Sequence, residues 1–228
     1  MENKVSYIKE KIAKSKNLSN FNYIPTTRPG NTGIGMTWEN ELGIKENNSK
    51  GADDNGIEHK AKRLKSNSNL TMITSTPSQS SRNIIGTYGY IDSKGRKAFK
   101  KDSPKLPFQI IKQNSQISLI DGKNILGKWD ENEIHEKFLK KLSNLVLSRA
   151  VTKKVNGIEH FQYVYATYFT DFDIDKFISE IGNTVKVSFR MHIEPDGSLR
   201  DHGTAFRIKP ENLDIFYAQK LTILDINS

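Results

Sequence analysis

The chain has 228 residues, enough for one large domain or two lobes on a shared core. Hydrophobic residues make up 35% of it, and eleven Phe, eight Tyr and two Trp supply bulky apolar side chains, which excludes a disordered chain. A formal charge of +9 favours polyanionic partners, and the absence of cysteine excludes disulfides, zinc ribbons and thiol nucleophiles.

In chain order, Val5, Ile8, Ile12 and Ala13 fall at helical spacing and predict a helix over about residues 3–17. The opening stretch, MENKVSYIKEKIAKSKNL, is interrupted by charge every few residues and does not read as a signal peptide; no segment reaches the roughly 18 apolar residues of a spanning helix. Nucleic acid therefore ranks ahead of membrane as partner, and a cytoplasmic location is expected. YIPTTRPGNTGIG predicts a loop, MTWENELGI a short helix stopped at Gly43, and KENNSKGADDN a polar turn. GIEHKAKR alternates as a strand, with Ile57, His59 and Ala61 on one face and Glu58, Lys60 and Lys62 on the other.

LTMITSTP, FQIIKQ and QISLI are further strand candidates. The segment from Ser80 to Lys105 has no clear period, and its GRKAFKKDSPK portion reads as basic and exposed. Ile134, Phe138, Leu139, Leu142 and Leu145 form one stripe of a helix from Glu131 to Leu145. An aromatic run, HFQYVYATYF, then precedes a short helix, DIDKFISEIG, and strand-like TVKVSFRMHI and TAFRI. This change of character predicts a catalytic lobe over 1–150 and a β-rich lobe over 151–228, partly packed on the core.

Chemistry concentrates at Asp53-Asp54-Asn55-Gly56-Ile57-Glu58-His59-Lys60. Residues two apart on a strand share a face at roughly 6–7 Å, so Glu58 and Lys60 project together. Asp53 reaches Glu58 across a glycine-containing turn, and two carboxylates that close call for a cation between them. Hard oxygen ligands suit magnesium, and a lysine beside them orients water or neutralises a phosphate, which is what phosphodiester hydrolysis requires. Glu39, on the preceding helix, is a candidate further carboxylate. Taken alone, an Asp followed by Glu-x-Lys is more often a solvated strand face with an incidental ion pair.

A second cluster lies in FRMHIEPDGSLRDHGTAFRIKP, where Arg190, His192, Arg200, Asp201, His202, Thr204 and Arg207 crowd two strands and their turn. Arginine reads guanine bidentately, aspartate accepts from cytosine, and His and Thr add single contacts. Lys62 and Arg63 are candidate DNA contacts beside the catalytic strand. Singly, each is more often an ordinary surface charge, or a satisfied histidine in the case of His192 and His202.

TGIGMTWENELGI, GADDNGIEHKAKR and FRMHIEPDGSLRDHGTAFRI, in that order, resemble the MvaI/BcnI group of type II restriction endonucleases, within the MutH-like branch of the PD-(D/E)XK nucleases. The resemblance runs from about Thr32 to about Lys209. It implies an α/β (mixed α+β) fold, with a central mixed sheet flanked by helices and a second β-rich lobe that closes around double-stranded DNA. It implies that Asp53 and Glu58 bind one or two Mg2+ ions, that Lys60 assists the water, and that Glu39 is the helix-borne carboxylate. It further implies base recognition by HGTAFRI, cleavage as a monomer on a short CC-x-GG-like site one strand at a time, and a cognate DNA methyltransferase encoded separately, with no stable complex between them.

The chain departs from the group in having His59 where an apolar residue is usual. Asp53 and Asp54 are adjacent; the four residues between Asp53 and Glu58 match the group's spacing, with Asp54 in reserve. A MutH-like strand-specific nickase and an inactive DNA-binding module are the competing expectations.

Overall fold

The computed structural model describes residues 2–45, 51–78 and 81–227; the middle of the expected polar turn, 46–50, lies outside them. Residues 2–68 form helices α1 (Glu2–Lys14), α2 (Lys16–Ser19) and α3 (Gly33–Glu41) with strands β1 (Ile24–Pro25) and β2 (Glu58–Arg63). Next come β3 (Leu70–Thr74), α4 (Ser81–Tyr88), β4 (Tyr90–Ile91), β5 (Lys97–Asp102), β6 (Gln109–Gln113), β7 (Gln116–Asp121), β8 (Asn124–Asp130) and α5 (Glu131–Leu142). The long strands β9 (Leu145–Val155) and β10 (Ile158–Phe172) follow, then α6 (Ile174–Ser179), β11 (Lys186–Ile193), β12 (Leu199–Asp201), β13 (Ala205–Ile208), α7 (Leu213–Phe216) and β14 (Tyr217–Asp225).

The chain divides into two compact units built from alternating segments: 1–68, 139–173 and 214–228 in one, 69–138 and 174–213 in the other. The expected single boundary near residue 150 is therefore corrected. Residue 150 lies inside β9, which pairs with β10 on one side and β2 on the other. The aromatic run that suggested a new lobe is β10, an interior strand of the first unit's own sheet, and an interior strand buries large side chains.

In the first unit a five-stranded mixed sheet has the order β1-β10-β9-β2, with β14 also pairing β10. Among the described strands of this sheet, only β2 and β9 run parallel. Helices α1 to α3 cover one sheet face, where Ile8, Ile12, Leu18, Ile34 and Trp38 pack on Ile57, Val146, Phe161 and Tyr163. The predicted helix at 3–17 forms but breaks at Ser15, whose hydroxyl accepts from the Leu18 amide and caps a second short helix. Helix α3 begins at Gly33, where a side chain would clash: a Cβ there would lie 2.2 Å from the Arg28 carbonyl oxygen.

The second unit has an antiparallel six-stranded sheet, β3-β13-β11-β5-β4 with β12 on β11, and a three-stranded meander, β6-β7-β8. One face of the larger sheet is aromatic: Phe99, Phe108 and Phe189 have ring centroids 5.5–6.0 Å apart. The segment read as basic and exposed is in part a core strand, since Ala98 and Phe99 of β5 are fully buried between β11 and β4. Lys97, Lys100 and Lys101 hid this, because their charges mask the two apolar positions between them. The other face of that sheet is polar and carries Asp102, Arg190 and Arg207 at the register positions of β5, β11 and β13.

Candidate active site

The site begins with a turn. Asp54 and Ile57 exchange backbone hydrogen bonds of 3.1 and 2.8 Å around Asn55 (φ 48°) and Gly56 (φ 71°). Two successive positive φ angles on Asn-Gly make a type I′ hairpin turn, which glycine and asparagine enter at little steric cost. In that register the next facing pair is Asp53 with Glu58, and facing residues in a hairpin have Cβ atoms about 5 Å apart. Asp53 Oδ2 accepts the His59 amide at 2.8 Å, fixing the carboxylate against the start of β2. Asn144 holds the same end: its carbonyl accepts from the Glu58 amide at 2.9 Å, and its side chain donates to the Gly56 carbonyl at 3.3 Å.

Glu58 is 1% exposed. Lys60 Nζ donates to its Oε1, and Lys141 Nζ lies 3.2 Å from Oε2 as an ion pair outside hydrogen-bonding geometry. Burial pushes the Glu58 carboxyl above the ordinary carboxylate range, and the Asp53 charge adds to this against the pull of Lys60 and Lys141. Lys141, in the last turn of α5, was not among the residues singled out from the sequence. Its only signal there is a position typical of basic residues at helix C-termini.

Asp54 turns the other way. Tyr7 donates to both of its oxygens at 3.0 Å, and Lys11 Nζ sits 2.6 Å from Oδ2, so this carboxylate anchors the turn to α1. His59 points into the helix-covered core, 4% exposed, where Trp38 Nε1 donates to its Nδ1 at 3.2 Å. Burial lowers its pKa to about 4, which keeps the ring neutral. Glu39 and Lys60 line one groove of about 310 Å³ together with Arg28 and Asn31. Lys62 is buried at 5% exposure, and Arg63 is gripped by Glu159 through Nε (2.7 Å) and Nη2 (2.6 Å).

Of the second cluster, Arg200 and His202 are exposed. Arg190 pairs with Asp102, His192 is buried between Arg96 (2.9 Å) and Glu194 (2.8 Å), and Thr204 is buried. Asp201 accepts from Ser81 and from the Gly203 amide. Arg207 is half-buried in β13, and burial followed by the charge of Arg190 lowers its pKa. These residues all belong to the second unit, whereas Asp53, Glu58 and Lys60 belong to the first.

No group of three or more His, Asp or Glu converges among the described residues. What fits a divalent ion is the Asp53–Glu58 pair: two facing carboxylates, one of them buried with an oxygen outside any hydrogen bond. Hard cations take such oxygens and relieve their repulsion.

A buried carboxylate on the edge strand of a mixed sheet, flanked by lysines and faced by an aspartate, is suited to holding a hydrolytic metal ion, and the comparisons with known proteins make the chain a site-specific endonuclease. It belongs to the MvaI/BcnI restriction endonuclease family, whose sequence model matches residues 12–217. Among solved structures it is similar to restriction endonuclease MvaI in complex with its cognate DNA substrate, at 25% identity and a TM-score of 0.77, covering 96% of this chain and 98% of that one. It also shares the fold of MvaI in the absence of DNA, at 24% identity and a TM-score of 0.50 over 96% and 97% of the two chains. No curated protein sequence matches it.

Proposed function

We propose that the chain is a type II restriction endonuclease of the PD-(D/E)XK kind, hydrolysing phosphodiesters of double-stranded DNA at a short CC-x-GG-like site with Mg2+ as cofactor. The observation that carries this reading is the hairpin register that sets Asp53 against buried Glu58 with Lys60 on the same strand. Asp53 and Glu58 would hold the ion, which supplies positive charge to offset the charge growing on the phosphoryl oxygens. Lys60 holds Glu58 Oε1 and presents the remaining ammonium protons to an attacking water or the scissile phosphate. Glu39, across the groove from Lys60, is the further carboxylate of the site. The first unit is the catalytic lobe, and the second reads sequence through Arg190, Arg200, His202 and Arg207. The chain acts as a monomer, cutting the strands in turn.

Purified protein incubated with phage DNA tests this directly. Discrete fragments with Mg2+, none with Ca2+ and none after chelation are expected. Intact DNA under all three conditions, or nicks without double-strand breaks, would sink it.

A further inference from the structure

We infer that Asp102 is a positioning residue for base recognition, holding Arg190, which shares a sheet face with Arg207, against the edge of a base pair. This rests on the endonuclease reading and extends it to a residue outside the recognition cluster seen in sequence.

Asp102 ends β5, facing Ser188 of β11 and one step along the polar sheet face from Arg190. Nη2 of Arg190 donates to Oδ2 of Asp102 at 3.1 Å, and Nη1 lies 2.7 Å from Oδ1 as an ion pair outside hydrogen-bonding geometry. A charge-assisted hydrogen bond with a close ion pair beside it restrains the guanidinium as well as balancing part of its charge. Arg190 Nη1 also donates to the Phe189 carbonyl at 2.7 Å, so backbone and carboxylate together set the plane of the fork. Arg207 lies on the same sheet face, opposite Lys186 of β11, where burial and the Arg190 charge lower its pKa. Its Nε is buried and makes no hydrogen bond, a donor that an incoming acceptor would complete.

The carboxylate also decides what the unit can read. An arginine meant for phosphate would gain from having no anion beside it, because the carboxylate repels phosphate oxygens. A base-pair edge differs, since guanine offers acceptors to an arginine held at a fixed angle and carries no anion for the carboxylate to repel. The Asp102–Arg190 pair matches a base edge and opposes a phosphate.

The test uses the full chain. Wild-type digestion of phage DNA maps the cut site; kcat/KM is then measured on a duplex carrying that site and on every duplex with one base pair changed. Asp102→Asn is expected to lose about 10-fold or more on the mapped site while its rate at one substituted position falls little, so that selectivity collapses at that base pair alone. Affinity for random-sequence duplex in Ca2+ is expected to stay level or rise. Arg190→Lys, which keeps the charge but not the fork, is expected to fail at the same base pair. Equal losses on all duplexes, or unchanged selectivity in Asp102→Asn, would overturn the assignment while leaving the endonuclease standing. A wild-type chain that makes no discrete cuts would overturn both.

Discussion

The indole N–H of Trp38 donates to Nδ1 of His59 across 3.2 Å of buried interior, joining helix α3 to the strand that carries Glu58 and Lys60. This explains a histidine where the family pattern has an apolar residue: it lies on the core face and is held neutral with its proton on Nε2. Removing the donor while keeping an aromatic ring, Trp38→Phe, leaves Nδ1 buried without a partner and should destabilise the chain by about 1–3 kcal/mol. Trp38→Ala adds a cavity and should cost about 3–5 kcal/mol. Urea unfolding followed by circular dichroism measures both, and equal midpoints for wild type and Trp38→Phe would show that the bond contributes nothing.

The adjacent aspartates should separate cleanly. Asp53→Ala is expected to lower cleavage by at least about 10²-fold, the scale for removing one element of transition-state charge stabilisation, with DNA affinity intact or tighter. Asp54→Ala, which frees Tyr7 and Lys11, should lower the melting temperature and leave the folded enzyme cutting. Persistent cleavage by Asp53→Ala would transfer the role to Asp54.

Lys141 offers a test of a residue that acts through another. Lys141→Met leaves Glu58 with Lys60 as its one flanking cation among these two, and should slow cleavage about 10–100-fold, the range for groups that orient a metal ligand. Weaker dependence on Mg2+ concentration than wild type would count against this role; partial recovery in Lys141→Arg would support it. The readout is the Mg2+ concentration giving half-maximal rate.

The Arg63–Glu159 pair predicts an acid-dependent contribution to stability. The Arg63 hydrogen bonds hold the Glu159 carboxyl below its usual range, against a smaller opposing effect of burial. A carboxylate with a depressed folded pKa contributes stability that is present above the unfolded value and lost as pH falls through the folded one. Glu159→Gln should therefore be less stable than wild type at pH 7 by about 1–3 kcal/mol, with the gap closing as the pH drops below about 4. Thermal melts across that range decide it, and a gap independent of pH would mean the pair's charge is irrelevant.

Much of the catalytic segment was legible because its signals are local. The alternation of β2, the Asn-Gly turn and the spacing of Asp53, Glu58 and Lys60 are set within eight consecutive residues, 53–60, where backbone preference and side-chain period act directly. Most of the stripe of α5 and the strand character of β11 were readable for the same reason, although Leu145, read as part of that helix, begins β9 and Leu139 is exposed. Other elements escaped: β5 looked basic and exposed because lysines obscure two core residues, the Asn156-Gly157 turn that joins β9 to β10 was passed over, and nothing local marks β14 as the neighbour of β10.

By itself, then, the sequence determined the locally patterned elements, the carboxylate spacing and the basic charge, since these depend on composition and on neighbours along the chain. Only the tertiary structure decided which aspartate faces Glu58 and which is tied to α1, that Lys141 lies against Glu58, and that Asp102 pairs with Arg190. It also decided that the units are woven from alternating segments. Each of these is a contact between residues distant in sequence, made when apolar faces are buried together, and no local pattern encodes which distant face a given strand will meet.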